Sequence, residues 1–333
     1  MEFQIWAERY RPAKLSDVIN QKHAIERIKA FVKDKNIPHM LFAGHAGTGK
    51  TTTALAIAKE LYGDSWRQNV LELNASNERG IDVMRSKTEQ KDEAKRRNLP
   101  SVKDFAKIKP LGEVDFRIVV LDEADALTQE AQHALRRTME KYTITTRFIL
   151  ICNYSSKIIE PVQSRCAVFR FKTLTDVDIN RYIERIVDGE KLKIDEKAIN
   201  ALIYLCEGDL RKVSNLLQAS AAMKEKITED IVYDIASKAK PMDVKEMLEM
   251  VLNGKFMDAR KKLQELLLRQ GLSGSDIISE IHRQIYSLDS LSEDTKVQLI
   301  EKCGEYEFRI SEGGNEVIQI EALLAQFLTL SKK

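Results

Sequence analysis

Proline and glycine are scarce, 6 and 14 of 333 residues, too few for a collagenous or low-complexity chain. Cysteine occurs four times, at 152, 166, 206 and 303, with no C-x-x-C pair to seed a metal knuckle. That usage fits small buried thiols in a reducing compartment. Neither sign of charge is in surplus, with 53 basic against 51 acidic side chains. A uniformly basic nucleic-acid coat protein is thereby excluded, and any nucleic-acid contact is confined to a local patch. No stretch reaches the roughly 20 apolar residues of a membrane span, and the N-terminus lacks the basic-then-apolar order of a secretion signal. An intracellular chain with no membrane association is expected. What is present, 43% hydrophobic and 31% charged residues, supports a folded, helix-rich protein whose length suggests two or three domains.

Up to about residue 171, short apolar runs alternate with helical patterns. His39 to Ala43, Val70 to Leu73, Arg117 to Leu121, Arg147 to Cys152 and Ala167 to Phe171 read as strands, several too apolar to have a wet face. Such alternation predicts a parallel sheet covered by helices on both sides, an α/β fold. From Thr173 the strand signal stops, and Thr175 to Glu190, Asp195 to Glu207 and Asp209 to Lys224 predict a small three-helix domain. Pro241 marks a break, after which Val244, Met247, Leu248, Val251 and Leu252 recur at helical spacing. The expected domains are 1–172, 173–237 and an all-helical 238–333.

The sharpest local signal is Gly44-His45-Ala46-Gly47-Thr48-Gly49-Lys50-Thr51, a G-x-x-x-x-G-K-T phosphate loop between an apolar strand and a helix. Its backbone N–H groups would cradle nucleotide phosphates, Lys50 would add a full charge, and Thr51 would ligate Mg²⁺. A carboxylate at the end of a buried strand should complete the site, and Ile118-Val119-Val120-Leu121-Asp122-Glu123 supplies it. Asp122 is the magnesium-side carboxylate and Glu123 the candidate general base for water. Asn153, after the fourth apolar strand, would share that sheet edge. Arg211 begins a helix from which it could reach the phosphates, and nothing in the chain explains Arg165 as a core residue.

In combination these motifs resemble the AAA+ ATPases and, within them, the clamp-loader branch, nearest to the small subunit of archaeal replication factor C. The likeness spans essentially the whole chain. It is carried by Trp6 to Pro12, the phosphate loop, Leu73 to Ile81, Asp122 to Asp125, Ile159 to Cys166 and Gly208 to Arg211. The resemblance implies an AAA+ domain, a helical lid and a helical collar that holds subunits in a ring. It implies Tyr10, Arg11 and Pro12 at adenine, Asn153 and Arg211 as nucleotide sensors, and Arg165 as a finger acting on a neighbour's ATP. Asn74 matches the position that restrains Glu123 until DNA arrives. ATP with Mg²⁺ would drive opening of the sliding clamp (PCNA) and its loading onto primer-template DNA, alongside a large subunit and further small subunits. Location would be cytoplasmic and nucleoid-associated if the chain is archaeal.

Residues 77–110 carry ten basic against six acidic side chains, a local excess twice that of the whole chain. In the family this region tracks DNA phosphates, and Arg79, Arg85 and Lys87 are the candidates. Thr88 to Ser101 looks like an insertion. Val102, Phe105 and Ile108 beyond it are candidates either for core or for the surface facing the clamp. The competing readings are another oligomeric AAA+ machine, such as a branch-migration helicase or an origin-binding ATPase, and a non-hydrolysing scaffold. The full set Lys50, Thr51, Asp122, Glu123 and Asn153 argues against a scaffold.

Overall fold

Met40–Ala43 (β1), Val70–Asn74 (β2), Arg117–Asp122 (β3), Thr146–Cys152 (β4) and Ala167–Arg170 (β5) form one parallel sheet in the order β2-β3-β4-β1-β5. In this computed structural model, which describes residues 5–77, 101–110, 112–223 and 226–330, the strands fall where the apolar runs predict them. Side chains alternate between two cores, as a period of two requires. Met40, Phe42, Ile118, Val120, Ile149 and Ile151 pack on one face with residues of the helices Lys22–Lys33 and Lys50–Tyr62. Leu41, Val119, Leu121, Phe148 and Leu150 pack on the other with Ala131, Leu135 and Met139 of the helix Gln129–Lys141. Burying each large side chain contributes about 1.5 to 3 kcal/mol.

Numbered along the chain, the helices of this part are α1 (Trp6–Arg9), α2 (Lys22–Lys33), α3 (Lys50–Tyr62), α4 (Trp66–Asn69), α5 (Val102–Lys107), α6 (Gln129–Lys141), α7 (Glu160–Gln163) and α8 (Asp176–Glu190). Their starts are legible in the chemistry. Thr128 caps α6 by accepting from Ala131 N, Pro161 lies in the first turn of α7, and Thr175 with Asp178 forms a reciprocal capping box on α8.

The chain divides into two units, Met1–Lys191 with Cys206–Gln218, and Leu192–Leu205 with Ala219–Lys333. Further along lie α9 (Glu196–Cys206), α10 (Leu210–Met223), α11 (Glu229–Ala236), α12 (Pro241–Leu252), α13 (Phe256–Gln264), α14 (Gly274–Ile285), α15 (Glu293–Ser311) and α16 (Glu316–Leu330). Two details depart from the expectation for residues 173–237. Lys193–Ile194 (β6) and Lys226–Ile227 (β7) pair as a two-residue parallel ladder, and α11 is a fourth helix burying Val232 and Tyr233. Two residues are too few for a period to register, and eight give barely two turns of apolar pattern. Pro241 opens α12 as its first residue, where a missing N–H is harmless, so the expected break is a helix start. In the second unit Val244, Met247, Leu248, Val251, Ile277, Ile281, Leu324 and Phe327 form one core. Among the described residues no helix is long and apolar enough to cross a membrane. All four cysteines are free thiols, and burial pushes each up to about 12.

Candidate active site

Because β3, β4 and β1 are neighbours, the residues that leave their C-terminal ends emerge side by side: Asp122 from β3, Asn153 after β4 and the loop Gly44 to Gly49 after β1. Open parallel sheets bind ligands at that edge. The loop turns through left-handed backbone at Gly47 (φ 69°) and Gly49 (φ 92°), the second leading directly into α3. At Gly47 a Cβ would lie 2.0 Å from Asp209 Oδ1, so only glycine lets the loop pass the start of α10.

Lys50 is 7% exposed, and its Nζ donates to the carbonyls of Gly44 at 2.6 Å and His45 at 2.7 Å and to Asn153 Oδ1 at 3.3 Å. Desolvation lowers its pKa, opposed chiefly by the charge of Asp122, while Arg211 lowers it further. Lys50 therefore lies within electrostatic reach of both Asp122 and Arg211. Thr51 Oγ1 donates to Asp122 Oδ2 at 2.7 Å, bringing a hydroxyl and a carboxylate together as a Mg²⁺ site needs. The other oxygen of Asp122 accepts Glu123 N at 2.9 Å. Glu123 itself takes left-handed backbone (φ 52°, ψ 39°), a conformation that costs a non-glycine residue of order 1 kcal/mol. Asp125 Oδ2 accepts Asn153 N and Tyr154 N, each at 3.3 Å, fixing the turn that carries Asn153.

One cavity is lined by Ala46 to Thr51, Asp122, Glu123, Asn153 and Arg211, together with Arg11 and Pro12. Gly44 and His45 meet the cavity's lysine through their carbonyls. Tyr10 turns elsewhere: its hydroxyl donates to Glu190 Oε1 at 2.8 Å, beside the Arg9–Glu190 ion pair at 2.9 Å, fastening the N-terminal segment to α8. Burial, reinforced by that hydrogen bond, raises the Tyr10 pKa. Arg211 is set by its own N–H, which donates to Asp209 Oδ1 at 2.8 Å at the start of α10. Asn74 Oδ1 accepts Ser76 N and Ser76 Oγ, at 2.8 and 2.7 Å.

Arg165 stands apart from this cavity. Its Nη1 donates to Pro161 O at 2.6 Å and its Nη2 pairs with Glu140 Oε1 at 2.5 Å, leaving its side chain 36% exposed. Arg79, Arg85 and Lys87 lie outside the described residues, as does nearly all of the stretch from Thr88 to Ser101. Of the candidates beyond it, Val102 is buried in the sheet core, Phe105 packs against it and carries the Arg117 guanidinium 4.7 Å above its ring, and Ile108 is 53% exposed.

Sequence reasoning gave no site role to several lining residues, among them Val18, Ile19, Tyr182, Leu210 and Ser214. Tyr182 and Ser214 share a 2.8 Å hydrogen bond between α8 and α10, a pairing across 32 residues that no local pattern encodes. Val18 and Ile19 precede a second uncued feature. The buried Gln21 amide donates to Lys172 O at 2.9 Å and accepts Lys172 N at 3.1 Å, while Asn20, at φ 52°, reaches the α8 cap residue Asp178.

Residues 239–326 match the family model for the replication factor C C-terminal domain, and residues 20–175 match that for the DNA polymerase III delta subunit. The replication factor C small subunit of Methanocella arvoryzae is 52% identical over 326 residues, covering 98% of this chain and 97% of that protein. The one from Archaeoglobus fulgidus is 48% identical, covering 99% of each. Among solved structures, the RuvB Holliday junction branch migration motor of Thermotoga maritima aligns with a TM-score of 0.52 at 18% identity, covering 84% of this chain and 91% of that one, a likeness of fold.

Proposed function

The chain belongs to the replication factor C small subunits, a clamp-loader subunit and an ATPase by family, and from that premise we propose how its residues carry the work. ATP enters the cavity at the sheet edge, with its phosphates on the loop Gly44 to Thr51 and its base toward Arg11 and Pro12. The observation that carries this reading is the desolvated Lys50 ammonium, held at one sheet edge with Thr51, Asp122 and Asn153 and having, among the described residues, loop carbonyls and an amide oxygen as its hydrogen-bond partners. A phosphate there would exchange weak dipoles for full negative charge. Thr51 and Asp122 would hold Mg²⁺, which when bound neutralises phosphate charge.

Glu123 acts as base on the attacking water, and Asn153 positions it. Arg211 reads the phosphates from α10. Arg165, which does not line its own cavity, serves the ATP of an adjoining subunit, so hydrolysis depends on assembly. Arg79, Arg85 and Lys87 contact DNA phosphates. Residues 1–172, 173–237 and 238–333 act as ATPase, lid and collar domains. The partners are a large subunit, further small subunits, the sliding clamp and primer-template DNA, and DNA stimulates hydrolysis.

The test is ATP hydrolysis by the assembled loader with and without primed DNA and the clamp, beside Lys50→Ala and Arg165→Ala. Stimulation by DNA and clamp together, lost in both variants, is expected. Hydrolysis indifferent to DNA and clamp sinks the DNA-stimulated reading, and full activity of Arg165→Ala sinks the shared site.

A further inference from the structure

We infer that Glu140 is a positioning residue for hydrolysis in the adjoining subunit, because it orients the guanidinium of Arg165. This rests on the reading of Arg165 given above and extends it to a residue outside every motif singled out in the sequence. Glu140 lies in the last turn of α6, and Arg165 follows the single turn of α7. Two contacts in different directions, Nη1 to Pro161 O and Nη2 to Glu140 Oε1, fix the plane of the guanidinium as well as its place. The same carboxylate oxygen lies 3.9 Å from Arg136 Nη1, one turn earlier on α6, so a second cation steadies it.

The frame around the pair is also held. Gln132 donates to Leu127 O and Lys157 O and accepts Ile159 N, tying α6 to the segment before α7, while Gln163 donates to Ser155 O and Ile158 O. A guanidinium has five N–H donors. The contacts seen among the described residues take one on each Nη, so the Nε–H and a second N–H on each Nη stay available for phosphate oxygens. Glu140 thus aims the fork without consuming it. An ion pair this exposed adds little to stability, so its consequence is orientation, which transition-state contacts reward steeply.

The experiment is steady-state ATP hydrolysis by the assembled loader with DNA and clamp, comparing wild type, Glu140→Gln, Glu140→Asp, Arg165→Ala and the Glu140→Gln/Arg165→Ala double variant. Thermal midpoint and subunit assembly are checked for each. For Glu140→Gln, kcat should fall about tenfold with KM changed by less than about twofold. Glu140→Asp should recover most of the rate, and Glu140→Gln should add nothing to Arg165→Ala. A wild-type or raised kcat in Glu140→Gln beside a slow Arg165→Ala overturns the positioning role and leaves the finger standing. A further loss of similar size in the double variant overturns it too, since Glu140 would then act elsewhere. A wild-type rate in Arg165→Ala removes the finger, and this inference with it.

Discussion

The two ends of the parallel sheet use cations in opposite ways. At the C-terminal edge Lys50 is desolvated over a cavity, and among the described residues its hydrogen-bond partners are loop carbonyls and an amide oxygen. At the N-terminal edge Arg147, second residue of β4, donates through Nε to Ile37 O at 2.6 Å and through Nη1 to Thr143 O, and lies 4.8 Å above the Phe116 ring. Arg117, first residue of β3, stacks on Phe105 beside it, and burial lowers both arginines. Nearby, His39 accepts Phe148 N on Nδ1 at 3.1 Å, so its proton sits on Nε2 and the ring is neutral. One edge surrounds its cations with protein groups, and the other holds Lys50 beside an open cavity. Buried charge at a strand end is therefore no sign of a site by itself. The difference lies in whether the protein or a cavity completes its coordination.

The largest expected effect tests the cavity edge. Glu123→Gln should slow hydrolysis by about 10² to 10⁴ in kcat while its thermal midpoint holds or rises, checked by single-turnover ATPase and calorimetry. At the other edge the pattern should invert. Arg147→Ala should cost about 2 to 4 kcal/mol in urea unfolding, because it strands the carbonyls of Ile37 and Thr143 and bares Phe116, with kcat near wild type. Equal loss of activity and stability in both variants would break the comparison.

A pH series sharpens it. Burial, aided by Arg147, lowers His39 from 6.5 to about 4, so the folded state resists a proton that the unfolded chain accepts. Stability from this group should be intact above about pH 6.5 and fall as pH drops toward about 4, by roughly 2 to 3 kcal/mol. His39→Gln, able to accept Phe148 N without titrating, should flatten that slope in urea midpoints taken at pH 7 and 4.5. The smallest effect concerns Gln21. Gln21→Ala leaves Lys172 N and O without their amide partner and should cost about 1 to 2 kcal/mol, with a weakened ATP affinity because Val18 and Ile19 line the cavity next to it. Nucleotide titration by fluorescence would read the second part.

What could be read from the sequence follows from how local its cause is. The phosphate loop, the strand leading to Asp122 and the helix start at Thr175 are set by neighbours within a few residues, and each lies where its pattern says. Arg11 and Pro12 reach the cavity while adjacent Tyr10 turns to Glu190, a choice made by a partner 180 residues away. The β6–β7 ladder, the Tyr182–Ser214 bond and the Gln21–Lys172 clasp have the same character. Glu140 carried no signal because a charged residue at a helix end is ordinary until Arg165 is seen against it.

The left-handed backbone at Glu123 has a bearing on how this position behaves under selection. Glycine takes that conformation without cost and asparagine nearly so, whereas glutamate is held in it by the surrounding fold. A library at position 123 screened for heat resistance alone should therefore enrich Gly and Asn, and one screened for turnover should return Glu. Wherever a lineage has released its subunit from hydrolysis while keeping it in the complex, position 123 should be among the first to drift.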